Sequence, residues 1–164
     1  MTTWEMKLIP AVTPNAENHE GLGDQASRFV NVDDLPWEDS IFDGVTFKTL
    51  LIDKESGIVT AYLRMEPGAS LPDHEHMLIE QTYVMEGSLK CGEGECTAGN
   101  FVWRPAGSRH KAWAPNGGLM LAIFQVPNKF FREKGETDML DNDWENSWAQ
   151  TTNFAHTRGN EAVE

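Results

Sequence analysis

The sequence predicts an all-β fold, a small closed or double-sheet barrel, on three observations. From Val45 onward, short runs rich in β-branched and aromatic residues alternate with Gly, Pro and Asp. That is the rhythm of short strands joined by tight turns. The candidate strand at 119–126 is apolar from Leu119 to Phe124 without a break, as expected of a strand covered on both faces. The chain is 164 residues long, 40% hydrophobic and 24% charged, an ordinary globular composition. At that length one domain can remove roughly two-thirds of its unfolded surface from water, so a single core needs no staples.

Residues 1–34 are polar, with Pro10, Pro14, Gly21 and Gly23, and read as an irregular arm. The barrel is expected over 35–131. Its candidate strands are 45–52, 58–65, 71–76, 80–86, 89–91, 101–104, 110–114 and 119–126. Gly-, Pro- and Asp-bearing turns separate them at 54–57, 66–68, 86–88, 92–95, 105–108 and 115–118. Residues 132–164 form an acidic extension expected to pack on the barrel. A short helix near 138–148 would place Trp144 and Trp148 one turn apart on a single face.

Charge excludes some partners. Twenty-six acidic against 13 basic residues leave a net charge of −13, a field that repels nucleic-acid phosphates and anionic membranes. The first ten residues carry Glu5 and Lys7 with no continuous apolar stretch, so they do not read as a signal peptide. A soluble, cytoplasmic protein is expected. In a reducing compartment Cys91 and Cys96, at either side of a hairpin tip, read as small strand residues rather than a disulfide. A lone CxxxxC is also a poor zinc signal.

The five histidines carry the most information. His74 and His76 are two apart in a strand-like segment, so their side chains leave one face. Glu80 shares that face if the strand runs through without a bulge. His110 comes from a later strand, after a Pro105-Ala106-Gly107 turn that doubles the chain back. The four side chains can converge inside a barrel as a 3-His/1-Glu shell, which suits a divalent transition metal and leaves coordination positions open. The bland alternative is two surface histidines and a solvated carboxylate. His19 and His156 lie in the flanks and read as solvated.

Gly68, His74, His76, Glu80 and Gly87 stand as G-x5-H-x-H-x3-E-x6-G, and Gly99, Pro105, Gly107 and His110 as G-x5-P-x-G-x2-H. These resemble the first and second motifs of the cupin superfamily. The resemblance implies a double-stranded β-helix, or jelly roll, with a metal near the barrel mouth. The second motif departs at its usual last residue, where Ala114 stands in place of Asn, with Asn116 two further on. That position is not a ligand in the family.

Leu35-Pro36-Trp37, Gly44-Val45 and the stretch from Gly99 to His110 resemble the branch containing acetylacetone-cleaving and 2,4'-dihydroxyacetophenone dioxygenases. The cupin domain of certain anti-sigma factors is related to that branch. The resemblance implies a non-haem Fe(II) dioxygenase that takes dioxygen and cleaves a C–C bond of a small β-diketone or α-hydroxyketone. His74, His76 and His110 would hold the metal, with Glu80 a fourth ligand or a general base. Acetylacetone-cleaving enzymes use a three-histidine iron site without a ligating glutamate, so Glu80 counts against that substrate. The alternatives are a non-redox isomerase, decarboxylase or lyase using Mn, Ni or Zn, and a non-catalytic zinc-binding sensor. The sensor reading lacks support from the first forty residues, which show no useful helical periodicity. A homodimer or higher homo-oligomer is implied by the family.

Substrate-facing candidates follow from strand parity. Thr82 shares a face with Glu80, and Ala112 with His110. Tyr62, Arg64, Trp103, Phe124 and Gln125 are further candidates whose parity the sequence leaves open; each aromatic has core packing as its plainer role.

Overall fold

The computed structural model describes residues 11–53, 56–125, 128–132 and 135–138. Eleven strands follow in order: β1 (Glu38–Asp39), β2 (Val45–Ile52), β3 (Ile58–Met65), β4 (Ser70–Glu75), β5 (Glu80–Cys91), β6 (Gly94–Thr97), β7 (Phe101–Arg104), β8 (Arg109–Trp113), β9 (Gly118–Gln125), β10 (Lys129–Arg132) and β11 (Gly135–Asp138). Two single-turn 3-10 helices, Glu17–His19 and Val32–Asp34, lie in the N-terminal arm. Every ladder is antiparallel. One sheet runs β1-β2-β3-β9-β5-β7 and the other β6-β5-β8-β4-β10-β11. The two curl around a shared core, and the all-β jelly-roll expectation holds. No helix among the described residues is long and apolar enough to cross a membrane.

β5 joins the two sheets. Residues 80–87 pair with β9 and 80–83 with β7, whereas 88–91 pair with β6. The register slips between Val84 and Glu86, a bulge that turns the strand from one sheet to the other. Gly87 completes the bend at φ +67°, and a Cβ there would overlap the Gly117 carbonyl. Only glycine meets both demands. The sequence pattern splits this strand into 80–86 and 89–91 with a turn between. The structure corrects that: the glycine bends the chain while pairing continues through Gly87 and Gly118.

Other elements were less visible. β6 falls partly on the expected turn 92–95; the hairpin closes tighter, with Cys91 opposite Gly94. Its sequence Gly-Glu-Cys-Thr gives no apolar alternation to detect. Cys96 faces Leu89 rather than Cys91 across the ladder, and both thiols are free. β10 spans the boundary drawn at Phe131, and β11 follows it. The helix expected near 138–148 lies, beyond Asp138, outside the described residues.

Alternation decides which side chains reach the interior. Val45, Met65, Leu71, Val84, Leu89, Ala112 and Met120 form the core. Val84 and Met120 are completely buried, each contributing about 1.5–3 kcal/mol by removal from water. On the outer face, Trp37 lies between Lys48 Nζ, 5.0 Å from its ring centre, and the Arg64 guanidinium at 4.0 Å. Lys48 Nζ also donates to the Val32 carbonyl at 2.7 Å, tying the arm to β2.

Candidate metal centre

Three histidines converge on the inner face of the second sheet. His74 near the end of β4 is paired directly with His110 on β8, so both rings leave the same side. His76 lies one residue beyond β4, yet its backbone stays in register with the β7–β8 turn. Its N–H donates to the Ser108 carbonyl at 2.9 Å, and its carbonyl accepts from Gly107 N–H at 2.7 Å. Ring centres are separated by 4.9 Å (His74–His76), 4.6 Å (His74–His110) and 5.0 Å (His76–His110). One ring nitrogen from each lies within 4.8 Å of the others. His74 and His76 are 2% and 0% exposed.

Glu80 arrives by a different route from the one parity suggests. β4 ends at Glu75, and Glu80 opens β5 in the other sheet, opposite Arg104 and Phe124. Its carboxylate meets the far side of His76: Oε2 accepts from Nδ1 at 3.0 Å, and Oε1 accepts from Thr82 Oγ1 at 3.1 Å. Asn128 completes this arrangement. Its Oδ1 lies 3.0 Å from His76 Nδ1, and its Nδ2 donates to Glu80 Oε2 at 3.4 Å. Among the described residues the cluster able to hold a metal is His74, His76 and His110.

These contacts set the proton positions. His74 Nδ1 lies 2.7 Å from the Pro72 carbonyl, which only accepts, so the proton is on Nδ1 and Nε2 offers a lone pair. His76 Nδ1 faces two oxygens and is likewise the protonated nitrogen. Arg104 Nε donates to His110 Nδ1 at 3.4 Å, leaving the His110 proton on Nε2, 2.9 Å from His76 Nε2. Burial pushes the His74 pKa down, and burial with the Arg104 charge takes His110 to about 3. For Glu80, burial pushes upward, but the His76 hydrogen bond and the Arg104 charge outweigh it and hold the carboxyl at about 2.

The residues fit a divalent metal. Buried neutral imidazoles with fixed tautomers are its usual nitrogen ligands, and a carboxylate behind one of them is the usual orienting partner. The three ring nitrogens lie within 4.8 Å of one another, near enough to converge on one ion. Loading requires the His110 proton to move from Nε2 to Nδ1, with the Arg104 Nε contact there giving way. The three histidines could therefore hold a divalent ion.

The remaining sequence candidates separate by face. Thr82, Ala112 and Phe124 line a cavity of about 30 Å³ together with His74, Glu80 and His110. Tyr62 and Arg64 are not brought there: Leu63 between them lines the cavity, and Arg64 stacks on Trp37 outside. Gln125 alternates with inward-facing Phe124 and is also turned away. Trp103 lines a different, larger cavity. Sequence reasoning missed Asn128 and Arg104, 3% and 6% exposed. A charged residue closing the otherwise apolar Phe101–Arg104 strand was the one available signal; Asn128 carries none. His19 is half-buried with Nε2 3.0 Å from the Phe29 carbonyl, and His156 lies outside the described residues.

Comparison with known proteins agrees with this architecture. The family model described as "ChrR Cupin-like domain" matches residues 25–129. No curated protein sequence matches the chain. An acetylacetone dioxygenase from Acinetobacter johnsonii superposes with a TM-score of 0.63 at 18% identity, covering 80% of this chain and 97% of its own. An RmlC-like cupin from Ralstonia eutropha JMP134 gives 0.63 at 20% identity, over 82% and 90%. The anti-sigma ChrR of Rhodobacter sphaeroides, solved in complex with SigE, gives 0.51 at 22% identity, over 57% and 50%.

Proposed function

Because this chain belongs to the ChrR cupin-like domain family, we propose that it is a metal-dependent enzyme, an Fe(II) dioxygenase cleaving a C–C bond of a small β-diketone or α-hydroxyketone. One observation supports this reading above the others. Glu80 is turned to the Nδ1 side of His76, so three histidines stand together without a carboxylate among them. That is the ligand set associated above with the acetylacetone-cleaving branch, and it supports that branch over a site with a ligating glutamate.

When bound, iron supplies Lewis acidity toward the substrate oxygens and reactivity toward dioxygen. The protein's own residues do the rest. His74, His76 and His110 present Nε2 atoms, with Pro72, Glu80 and Asn128 fixing two of the rings. Glu80 accepts from His76, Asn128 and Thr82, which makes it a positioning residue rather than a base. Leu63, Leu71, Met120, Ala122 and Phe124 wall the approach. The cavity there is about 30 Å³, about one water's worth, so a diketone reaches the histidines only as these side chains move apart.

The test is metal content of protein purified without added metal, paired with oxygen uptake on a panel of β-diketones and hydroxyketones. The reading expects iron, substrate-dependent oxygen consumption, and per dioxygen one carboxylic acid with an α-ketoaldehyde from a β-diketone or two carboxylic acids from an α-hydroxyketone, with loss of all of these in His110→Ala. Firmly held zinc with no oxygen uptake after iron reconstitution would favour the second reading, a non-catalytic zinc-binding sensor; the ChrR likeness, to an anti-sigma factor solved with SigE, is the observation that keeps a non-enzymatic role in view.

A further inference from the structure

Arg104 is a buried cation, 6% exposed, beside the three histidines. Among the described residues no carboxylate pairs with it: the ion pairs there are His76–Glu80 and Arg109–Asp73. Glu80 stands opposite Arg104 on the β5–β7 ladder, yet its oxygens accept from His76, Asn128 and Thr82. Arg104 Nε donates to His110 Nδ1 at 3.4 Å, while Nη1 is shut off from solvent and has no acceptor. Arg104 and Ser108 also line a cavity of about 390 Å³ at the corner where β5, β6 and β7 diverge, but neither Nη1 nor Ser108 Oγ opens onto it. A guanidinium keeps its proton in any protein environment. This is a fixed positive charge, screened far less than one on the surface.

The centre is therefore polarised. A carboxylate stands behind His76 and a guanidinium behind His110. The carboxylate favours a bound cation. The guanidinium opposes one twice over. Its charge repels the ion, and as an obligate donor it holds His110 Nδ1, the nitrogen that must carry the proton when Nε2 turns to the metal. A metal-binding histidine ordinarily gives its second N–H to an acceptor; His110 faces a donor instead. The repulsion also grows with the charge of the ion, so it weighs more on a trivalent ion than on a divalent one.

We infer that Arg104 is a positioning residue that holds down the affinity of the histidine centre and biases it toward the lower ionic charge, so that bound iron stays ferrous. This rests on the metal site of the reading above, and on neither its substrate nor its reaction.

Zn(II) alone is the first probe, titrated into the full chain against a chelator. Arg104→Met, which removes the charge and the donor, is expected to bind Zn(II) about tenfold or more tightly, and Arg104→Lys to stay within about threefold of the unaltered chain. The second readout is the midpoint potential of iron loaded without oxygen. Arg104→Met should lower it by about 59 mV or more, the equivalent of a tenfold gain in ferric over ferrous affinity. The proton shift at His110 is common to both oxidation states and cancels, so the potential reads the charge alone. Unchanged or weaker Zn(II) binding in Arg104→Met, a potential that does not fall, or an Arg104→Lys variant that behaves like Arg104→Met would each overturn the assignment. Should Arg104→Met fail to fold, Arg104→Gln carries the same comparison. The His110 ring nitrogen resonances of the metal-free unaltered chain then add a check without any variant: Nδ1 is expected to be unprotonated, and a protonated Nδ1 would overturn the assignment. Tighter Zn(II) binding and a lowered potential in Arg104→Met, in a chain whose iron form takes up no oxygen, would uphold Arg104 and sink the dioxygenase. An unaltered chain that binds no metal would sink both.

Discussion

The histidine cluster and the β5–β6–β7 corner are both buried polar regions, less than one side chain apart, and they solve burial in opposite ways. Around the histidines the polar atoms satisfy one another: Pro72 with His74, Glu80 and Asn128 with His76, His110 with His76. The space left is about 30 Å³. At the corner two donors have no acceptor and about 390 Å³ stands open. A polar network closed on itself suits a guest that replaces a proton and little else. The corner instead leaves two polar atoms, each shut off from solvent, without a partner, at a cost in stability.

The sharpest way to break that comparison is His76→Ala. It removes one of the three converging nitrogens and strands Glu80 and Asn128, so metal binding should vanish and stability should fall by about 3–5 kcal/mol. Elemental analysis and denaturant unfolding check both; retained stoichiometric metal would show that His76 is not a ligand. Glu80→Gln keeps an acceptor at Nδ1 but loses the charge. Metal affinity should drop about 10–100-fold, measured by competition with a chelator, while the fold survives.

Acid sharpens the comparison next. His110 is held at about 3 and His74 below its ordinary 6.5, so below pH 6.5 the unfolded chain binds protons that the folded one refuses. Stability of the metal-free protein is then greatest above that pH and declines as pH falls. Glu80, at about 2 against an ordinary 4.5, adds to the decline below 4.5 in the same direction. Melting temperature in chelator should trace this slope, and His110→Ala should flatten its upper part. The smallest effect is expected at the corner. Ser108→Ala removes an unpaired buried hydroxyl, so stability should be unchanged or raised by up to about 1 kcal/mol. A clear destabilisation in urea unfolding would show that the hydroxyl has a partner after all.

The histidines were legible in the sequence because strand alternation is a local rule: His74 and His76 had to share a face, and a turn had to bring His110 beside them. Glu80 was legible as a participant, but its side of approach was not, because β4 ends before it and β5 begins in the other sheet. Tyr62, Arg64 and Gln125 could not be assigned a face. β3 and β9 are covered inside by the core and, at Arg64, outside by Trp37, so neither face is marked by polarity. Arg104 and Asn128 depend on cross-strand register and on a contact 52 residues apart in sequence, and a single chain's spacing encodes neither.

β5 has one further consequence, for how the molecule comes apart. A strand that is an interior member of both sheets leaves neither sheet able to open while the other stays shut. Its amides on either side of Gly87 should therefore share one hydrogen-exchange free energy, equal to that of global unfolding, whereas the edges at β6 and β7 exchange sooner. Folding inherits the same constraint. Because β5 must be captured by β9 on one side and β8 on the other before either sheet is complete, the chain pays for long loops early, and a slow, single-step refolding is the kinetic signature of that shared strand.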